Sequence, residues 1–314
     1  MKKSIFCLVI ALIACVAFSC KKDDSTTTTP SLAGLSIEED PVPFVAPGTT
    51  VTLKADVSYI YTSDDTTPSE PIGIIWVVSN VLRDTTTRDI KVSNPEFQYY
   101  VSDVGAVTIT CYAYSSGYTN ASTSVSFSAI DPETSLSGLK GETQVIDGHK
   151  FYVASIGTST WLASNLYGTA SGISYCLSDV TDSFLGKFYT WEEALTACPK
   201  GWKLPTAEEW DSLGADACAL MTDATLLEEQ MWTYWPGMDI TNTTGFNAIP
   251  AGYVDRTGGD TNVQGFKSYA MYWTASEAED GLAQYRYIYA DKPKVQKGRG
   301  ARNSLALSVR CIKE

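Results

Sequence analysis

Cys198-Pro199-Lys200-Gly201-Trp202-Lys203-Leu204-Pro205-Thr206-Ala207-Glu208-Glu209-Trp210-Asp211-Ser212-Leu213 is the densest stretch of structural signals in the 314-residue chain. Thr206 followed three residues later by Glu209 is a capping box: the hydroxyl accepts from the Glu209 amide while the carboxylate reaches back. Pro205 stands before it and Gly214 after it, so a short helix is expected over 207–213. The same device stands just upstream at Thr190-Trp191-Glu192-Glu193 and predicts a helix over 191–198. Ala194 and Leu195 are expected to face inward on the first helix, and Trp210 and Leu213 on the second. Around them the reading is of short strands and long loops: Phe151 to Ile156, Ala270 to Ala275, Tyr285 to Tyr289 and Leu305 to Ile312.

Working toward the N-terminus, residues 31 to about 130 carry no helical periodicity. Val51, Leu53, Ala55 and Val57 alternate on one face, and Ile72 to Val78 is a continuous apolar run carrying Trp76. Phe97 to Val101, Val107 to Tyr114 and Ala121 to Ala129 complete the series. Strands at this spacing around one tryptophan predict an immunoglobulin-like β-sandwich. Cys111 has no cysteine partner in this region and reads as a buried, inert thiol. The segment 97–109 resembles PKD and related bacterial Ig-like modules, which implies a spacer.

Composition narrows the function. Acidic residues outnumber basic ones by 36 to 23, for a net charge of −13, so a nucleic-acid partner, which needs a basic face, is not expected. His149 is the single histidine, and it removes most histidine-based catalysis and zinc chemistry. No catalytic residue, metal or cofactor is expected; Asp239, Asp255 and Asp260 read as a solvated acidic loop.

The first nineteen residues read as an address: Lys2-Lys3, an apolar run from Ile5 to Phe18, then Ser19-Cys20. The run is too short to span a bilayer comfortably, and it looks like a bacterial lipoprotein signal cleaved before Cys20. That resemblance implies acyl chains on Cys20 as a membrane anchor. Lys21-Lys22-Asp23-Asp24 resembles the export signal of surface lipoproteins in Bacteroidetes, which implies an outer-membrane, cell-surface location. Ser25 to Pro30 reads as a polar tether, giving the order signal 1–19, tether 20–30, sandwich 31–130 and a distal domain 131–314.

The distal region carries a second resemblance. Its motifs run in order: Asp147-Gly148-x-x-Phe151-Tyr152, Trp161-Leu162-Ala163-x-Asn165-Leu166, Gly186-Lys187-Phe188-Tyr189-Thr190-Trp191, the opening stretch 198–213, Gly245-Phe246-Asn247-Ala248-Ile249-Pro250-Ala251-Gly252-Tyr253, Tyr272-Trp273-Thr274-Ala275-Ser276 and Ser308-Val309-Arg310-Cys311-Ile312. Together they are similar to the Fibrobacter succinogenes major paralogous domain, which resembles the C-type lectin fold. The resemblance implies a mainly β protein with an α+β, C-type-lectin-like C-terminal domain holding two short helices. It also implies a Cys198–Cys311 disulfide. Cys176 and Cys218 are left either bridged or free. Trp273-Thr274-Ala275 lacks the carboxylates and amides of a calcium–sugar site.

These features make a non-catalytic, surface-anchored recognition or adhesion protein the expectation, with a glycan or a surface protein as ligand. A structural role in a surface or fimbrial assembly is the alternative. Trp161, Trp191, Trp202, Trp210 and Trp273 are expected in the core. Trp232, Tyr234, Trp235 and Tyr253 are the candidate ligand contacts, because flat aromatic faces with polar tips stack on sugar rings. The basic stretch Lys292, Lys294, Lys297, Arg299 and Arg302 is expected as a solvated loop, with an anionic glycan or a neighbouring copy as its other possible contact.

Overall fold

The computed structural model describes residues 29–38, 42–62, 71–79, 81–88, 95–259 and 261–314. The signal segment, Cys20 and most of the tether lie outside the described residues.

The N-terminal part is a β-sandwich. One sheet holds, in spatial order, Phe44–Val45, Ala121–Ala129, Gly105–Tyr114, Ile72–Val78 and Val81–Arg88; the facing sheet holds Ser36–Ile37, Thr50–Asp56 and Glu96–Tyr100. The alternation read from sequence becomes the core: Val51, Leu53 and Ala55 are buried while Thr50, Thr52 and Lys54 are exposed. Trp76 of the first sheet stacks on Phe97 of the second, with centroids 5.1 Å apart and planes 11° from parallel. Cys111 is a free, fully buried thiol, and burial pushes its pKa up to about 12, far from thiolate reactivity. The strand Val81–Arg88 was not expected; its run of Thr and charged residues shows no apolar face.

The C-terminal part mixes short strands and helices. A five-stranded sheet orders Glu142–Ile146, His149–Ile156, Ser159–Leu162, Ile312–Lys313 and Trp202–Lys203, and a three-stranded antiparallel sheet orders Tyr269–Glu277, Leu282–Tyr289 and Gln296–Ala301. Both capping boxes form: Thr190 and Thr206 each accept from the amide three residues on, and Glu193 and Glu209 bond back at 2.8 Å. The helices run Trp191–Ala197 and Ala207–Asp211. Trp191 and Ala194 are buried on the first, whereas Leu195 is 40% exposed, so the expected inward position of Leu195 is corrected. At seven residues the helix needs only a narrow i, i+3 stripe to meet the core, and Leu195 lies beside it.

The expected strand over 305–312 divides into Leu305–Ala306 and Ile312–Lys313. Between them the backbone changes partner almost every residue: Leu307 exchanges bonds with Tyr189, Ser308 donates to Met271, and Val309 and Cys311 accept from Leu166 and Leu162. This segment threads the centre of the distal region, and the Cys198–Cys311 disulfide closes there across 113 residues. The two parts also share a core. Phe44 and Ile130 from the sandwich pack with Tyr175, Phe184, Phe188, Leu226 and Met231, and Phe44 meets Tyr175 edge-on at 5.5 Å.

A buried carboxyl marks that joint. Asp182 is 8% exposed, accepts from Ser174 at 2.9 Å through Oδ2, and has no hydrogen-bond partner on Oδ1 among the described residues. Burial pushes its pKa from 3.8 up to about 6, against the pull of the Ser174 bond and nearby Lys187. Because the folded value lies above the unfolded one, the charged form is a cost that is fully present above pH 6. That cost fades as pH falls from about 6 toward 3.8. Asp182→Asn is therefore expected to stabilise the fold at pH 7 by about 1–3 kcal/mol and to flatten the pH dependence below pH 6. Urea midpoints at pH 7 and pH 4.5 check this; equal pH slopes for both proteins would contradict it.

Candidate functional site

The central strand Leu282–Tyr289 alternates with period two, and the alternation separates two chemistries. Arg286 and Ile288 point to one face and are buried. Tyr285, Tyr287 and Tyr289 point to the other and stay partly exposed. The register places Tyr269 opposite Tyr289, Met271 opposite Tyr287 and Trp273 opposite Tyr285. On the third strand Gly298 lies opposite Tyr285, and Gln296 opposite Tyr287.

The result is a continuous tyrosine surface. Tyr269 stacks on Tyr289 at 4.4 Å, with Tyr253 at 6.0 Å and Tyr287 at 6.3 Å, and Tyr285 lies 5.8 Å from Tyr287. Near Trp273 this face packs with Tyr189, Trp191 and Leu307, and Tyr285 and Tyr287 form the partly buried margin of the same core. Gly298 makes room for the Tyr285 ring. A Cβ there would come within 2.2 Å of the Tyr285 ring, so the missing side chain is what lets Tyr285 lie over the neighbouring strand. Burial raises the pKa of both Tyr269 and Tyr285, and the neighbouring phenols reinforce the shift. These two phenols are therefore neutral hydrogen-bonding groups at ordinary pH.

The candidate ligand contacts divide. Tyr253 belongs to the tyrosine surface, its hydroxyl donating to Gln264 at 3.1 Å. Tyr234 and Trp235 are 77% and 40% exposed, in a loop whose Thr233 amide donates to Lys267 at 2.8 Å. Trp232 is a correction. It is 2% exposed, its indole N–H donates to the Ala248 carbonyl at 3.1 Å, and it packs with Trp210, Phe246 and Tyr272. Its neighbours Pro236-Gly237 do mark a loop, but that loop turns Trp232 into the core. The five tryptophans expected inside are all buried. Tyr285, Tyr287 and Tyr289 were not among the candidates, although their spacing at alternate positions of one strand was visible.

The basic stretch does not form a patch. Lys297 lies on the face opposite the tyrosines and pairs with Asp211 at 2.7 Å, Arg302 pairs with Glu277 at 2.9 Å, and Lys292 pairs with Asp291 at 3.5 Å. Asp211 also holds the buried Arg286 at 2.8 Å, and that hydrogen bond, reinforced by Lys297, lowers its pKa.

The reactive groups are dispersed. His149 packs edge-on against Tyr167 at 5.2 Å. Cys176 and Cys218 are both free thiols, and burial raises the pKa of each. Among the described residues no three His, Cys, Asp or Glu side chains converge as a metal site; Asp260 lies outside them. A groove of about 620 Å³ runs along the joint between sandwich and distal region, walled by Phe44, Phe127, Tyr175, Leu226 and Phe266.

Three solved structures resemble parts of this chain. The CARDB domain of a Pyrococcus furiosus protein, in complex with di-metal ions, is 10% identical with a TM-score of 0.25, covering 36% of this chain and all of that one. CHIR-AB1 is 20% identical with a TM-score of 0.21, covering 33% of this chain and 97% of that one. The adhesin InvE of Yersinia pseudotuberculosis is 9% identical with a TM-score of 0.26, covering 90% and 70%. None is similar enough to transfer a role. No curated protein matches. The Fibrobacter succinogenes major domain matches residues 154–313, the span that holds both capped helices, the disulfide and the tyrosine surface, and the chain belongs to that family.

Proposed function

We propose that this protein is a non-catalytic recognition lipoprotein: acyl chains on Cys20 hold it in the outer membrane, and the distal domain meets a ligand outside the cell. The observation that carries the reading is the partly exposed tyrosine surface of Tyr253, Tyr269, Tyr285, Tyr287 and Tyr289. Tyrosine supplies large, rigid contact area at low entropic cost, with a polar tip for hydrogen bonds. Dispersed reactive groups and thiols shifted upward support a binding role over a catalytic one. The lipoprotein-like segment ending in Ser19-Cys20 supports the anchor.

The test uses intact cells. Palmitate should label the wild-type protein and not Cys20→Ala, and external protease should remove the protein from cells whose outer membrane is sealed. Cells carrying Tyr269→Ala with Tyr289→Ala should lose at least ten-fold in adherence to the surface that wild-type cells bind. Unlabelled Cys20, full protease protection or unchanged adherence would each overturn the corresponding part of the reading.

A further inference from the structure

The loop that leaves Ile173 and returns at Phe188 is one of the places where the distal region grips the sandwich. We propose that its residues 174–182 are a latch, closed on the strand Phe44–Val45 while Asp182 carries a proton and released from that strand when Asp182 ionises.

The latch has a firm neck and a light hold. At the neck, Ile173 and Phe188 exchange backbone hydrogen bonds at 2.8 and 2.9 Å, the Lys187 amide donates to Leu166 at 2.9 Å, and Asn165 donates to the Leu185 carbonyl at 2.7 Å. Beyond it, Tyr175 meets Phe44 edge-on, Ser178 Oγ donates to the Phe44 carbonyl at 3.4 Å, and Asp179–Thr181 lies against Phe44–Val45. Tyr175–Leu177 and Asp179–Thr181 are single 3-10 turns, whose hydrogen bonds are poorer than those of an α-helix. Cys176 sits in the first turn at φ 47° and ψ 36°. That left-handed conformation is unfavourable for a residue with a side chain, so release relieves it.

Asp182 ties the latch from inside. Its Oδ2 accepts from Ser174 Oγ at 2.9 Å, while Oδ1 is buried without a hydrogen-bond partner among the described residues. A neutral carboxyl loses little in that setting. A carboxylate loses much more, because a buried ion needs several hydrogen bonds or a countercharge. The groups acting on it are Lys187 and Asp179 of the same loop and Tyr189 from the central segment; Phe44 and Val45 bring no charge. Lys187 Nζ donates to the Thr169 carbonyl at 3.1 Å, and Asp179 repels. Swinging 174–182 outward hydrates the carboxylate and leaves the neck intact, as a local opening.

The direction with pH follows from burial, which raises the Asp182 pKa from 3.8 to about 6 in the closed loop. A hydrated Asp182 returns toward 3.8, so opening grows as pH rises through that window and levels off above about 6. Across the window the ratio of open to closed latch rises on the order of 100-fold. Cys176, a free and half-buried thiol within the latch, reports the opening.

The experiment labels residues 21–314 with a pyridyl disulfide, which reacts at acid as well as neutral pH, and reads Cys176 by peptide mass between pH 4 and pH 7. A free peptide of residues 171–182 supplies the unprotected thiol rate at each pH, so the thiol's own ionisation divides out. Protection of Cys176 in the wild-type protein is expected to fall at least ten-fold between pH 4 and pH 6 and then level off. Asp182→Asn should stay protected throughout, and Ser178→Ala should lose protection at pH 4. Hydrogen exchange at pH 7 should be faster over 174–182 in the wild-type protein than in Asp182→Asn, with Ile173 and Phe188 protected in both. Wild-type protection that does not change with pH overturns the proposal even if a variant fails to fold. So does Asp182→Asn following the wild-type profile, Ser178→Ala keeping full protection, or the neck exchanging as fast as the latch, which would mean global unfolding.

Discussion

Arg310→Met is expected to destabilise the folded chain by about 4 kcal/mol or more, although it swaps one long side chain for another. Arg310 is fully buried and has no carboxylate partner among the described residues. Its Nε donates to Asn165 Oδ1 at 2.7 Å, Nη1 to the carbonyls of Phe246 at 2.7 Å and Leu162 at 3.2 Å, and Nη2 to the carbonyl of Asn247 at 2.6 Å. The guanidinium also lies 4.7 Å from the Phe246 ring centroid, where the negative face of the ring offsets the charge. Burial lowers its pKa, but an arginine remains protonated.

These bonds tie two distant segments, 162–165 and 246–247, to one guanidinium. Asn165 in turn donates to the Leu185 carbonyl at 2.7 Å, and Asn247 bonds to Lys140 and Asn242. Methionine would leave three carbonyls and an amide oxygen without donors in a dry interior, each costing roughly 1–3 kcal/mol before relaxation. Arg310→Lys keeps the charge but cannot serve four acceptors in a planar fork, so about 2 kcal/mol or more is expected. Urea unfolding of both variants measures this. A methionine variant within 1 kcal/mol of wild type would mean that Arg310 only fills space.

The second large effect concerns Cys198 and Cys311. Their Cα atoms are 5.9 Å apart and 113 residues apart in sequence. In the chain-entropy model a crosslink closing a loop of that length is worth roughly 4–5 kcal/mol. Replacing both cysteines with serine is expected to lower the melting temperature by about 10–20 °C, and reductant should do the same to the wild-type protein. Serine at 311 adds a buried hydroxyl, so the Cys198→Ser, Cys311→Ala pair is the cleaner comparison. If reductant leaves the melt unmoved while mass analysis shows both thiols free, the bond contributes nothing to stability.

Legibility in the sequence followed the range of the interaction. The capping boxes at Thr190 and Thr206 were readable because donor and acceptor lie three residues apart, and both formed. Strands with one buried face, such as Thr50–Asp56, were readable because burial imprints a period of two. Glu142–Ile146 was missed for the same reason: it is exposed along nearly its whole length, so no pattern marks it. Trp232 was misplaced because Pro236-Gly237 describes the local chain and says nothing of what lies above it.

The sequence by itself determined the local geometry: the strands that alternate, the helices that begin at capped threonines, the cysteine available at each end of the distal frame, and an N-terminal segment with the pattern of an address. Tertiary structure alone decided which aromatics stay open. Trp232 and Tyr234 are two residues apart, yet one is 2% exposed and the other 77%. It also decided that Arg310 meets Leu162 and Phe246, 148 and 64 positions away. The physical reason is that periodicity and capping are enforced by the neighbouring few residues. The burial of an irregular loop and the satisfaction of a buried cation are set by whichever distant segments close over them.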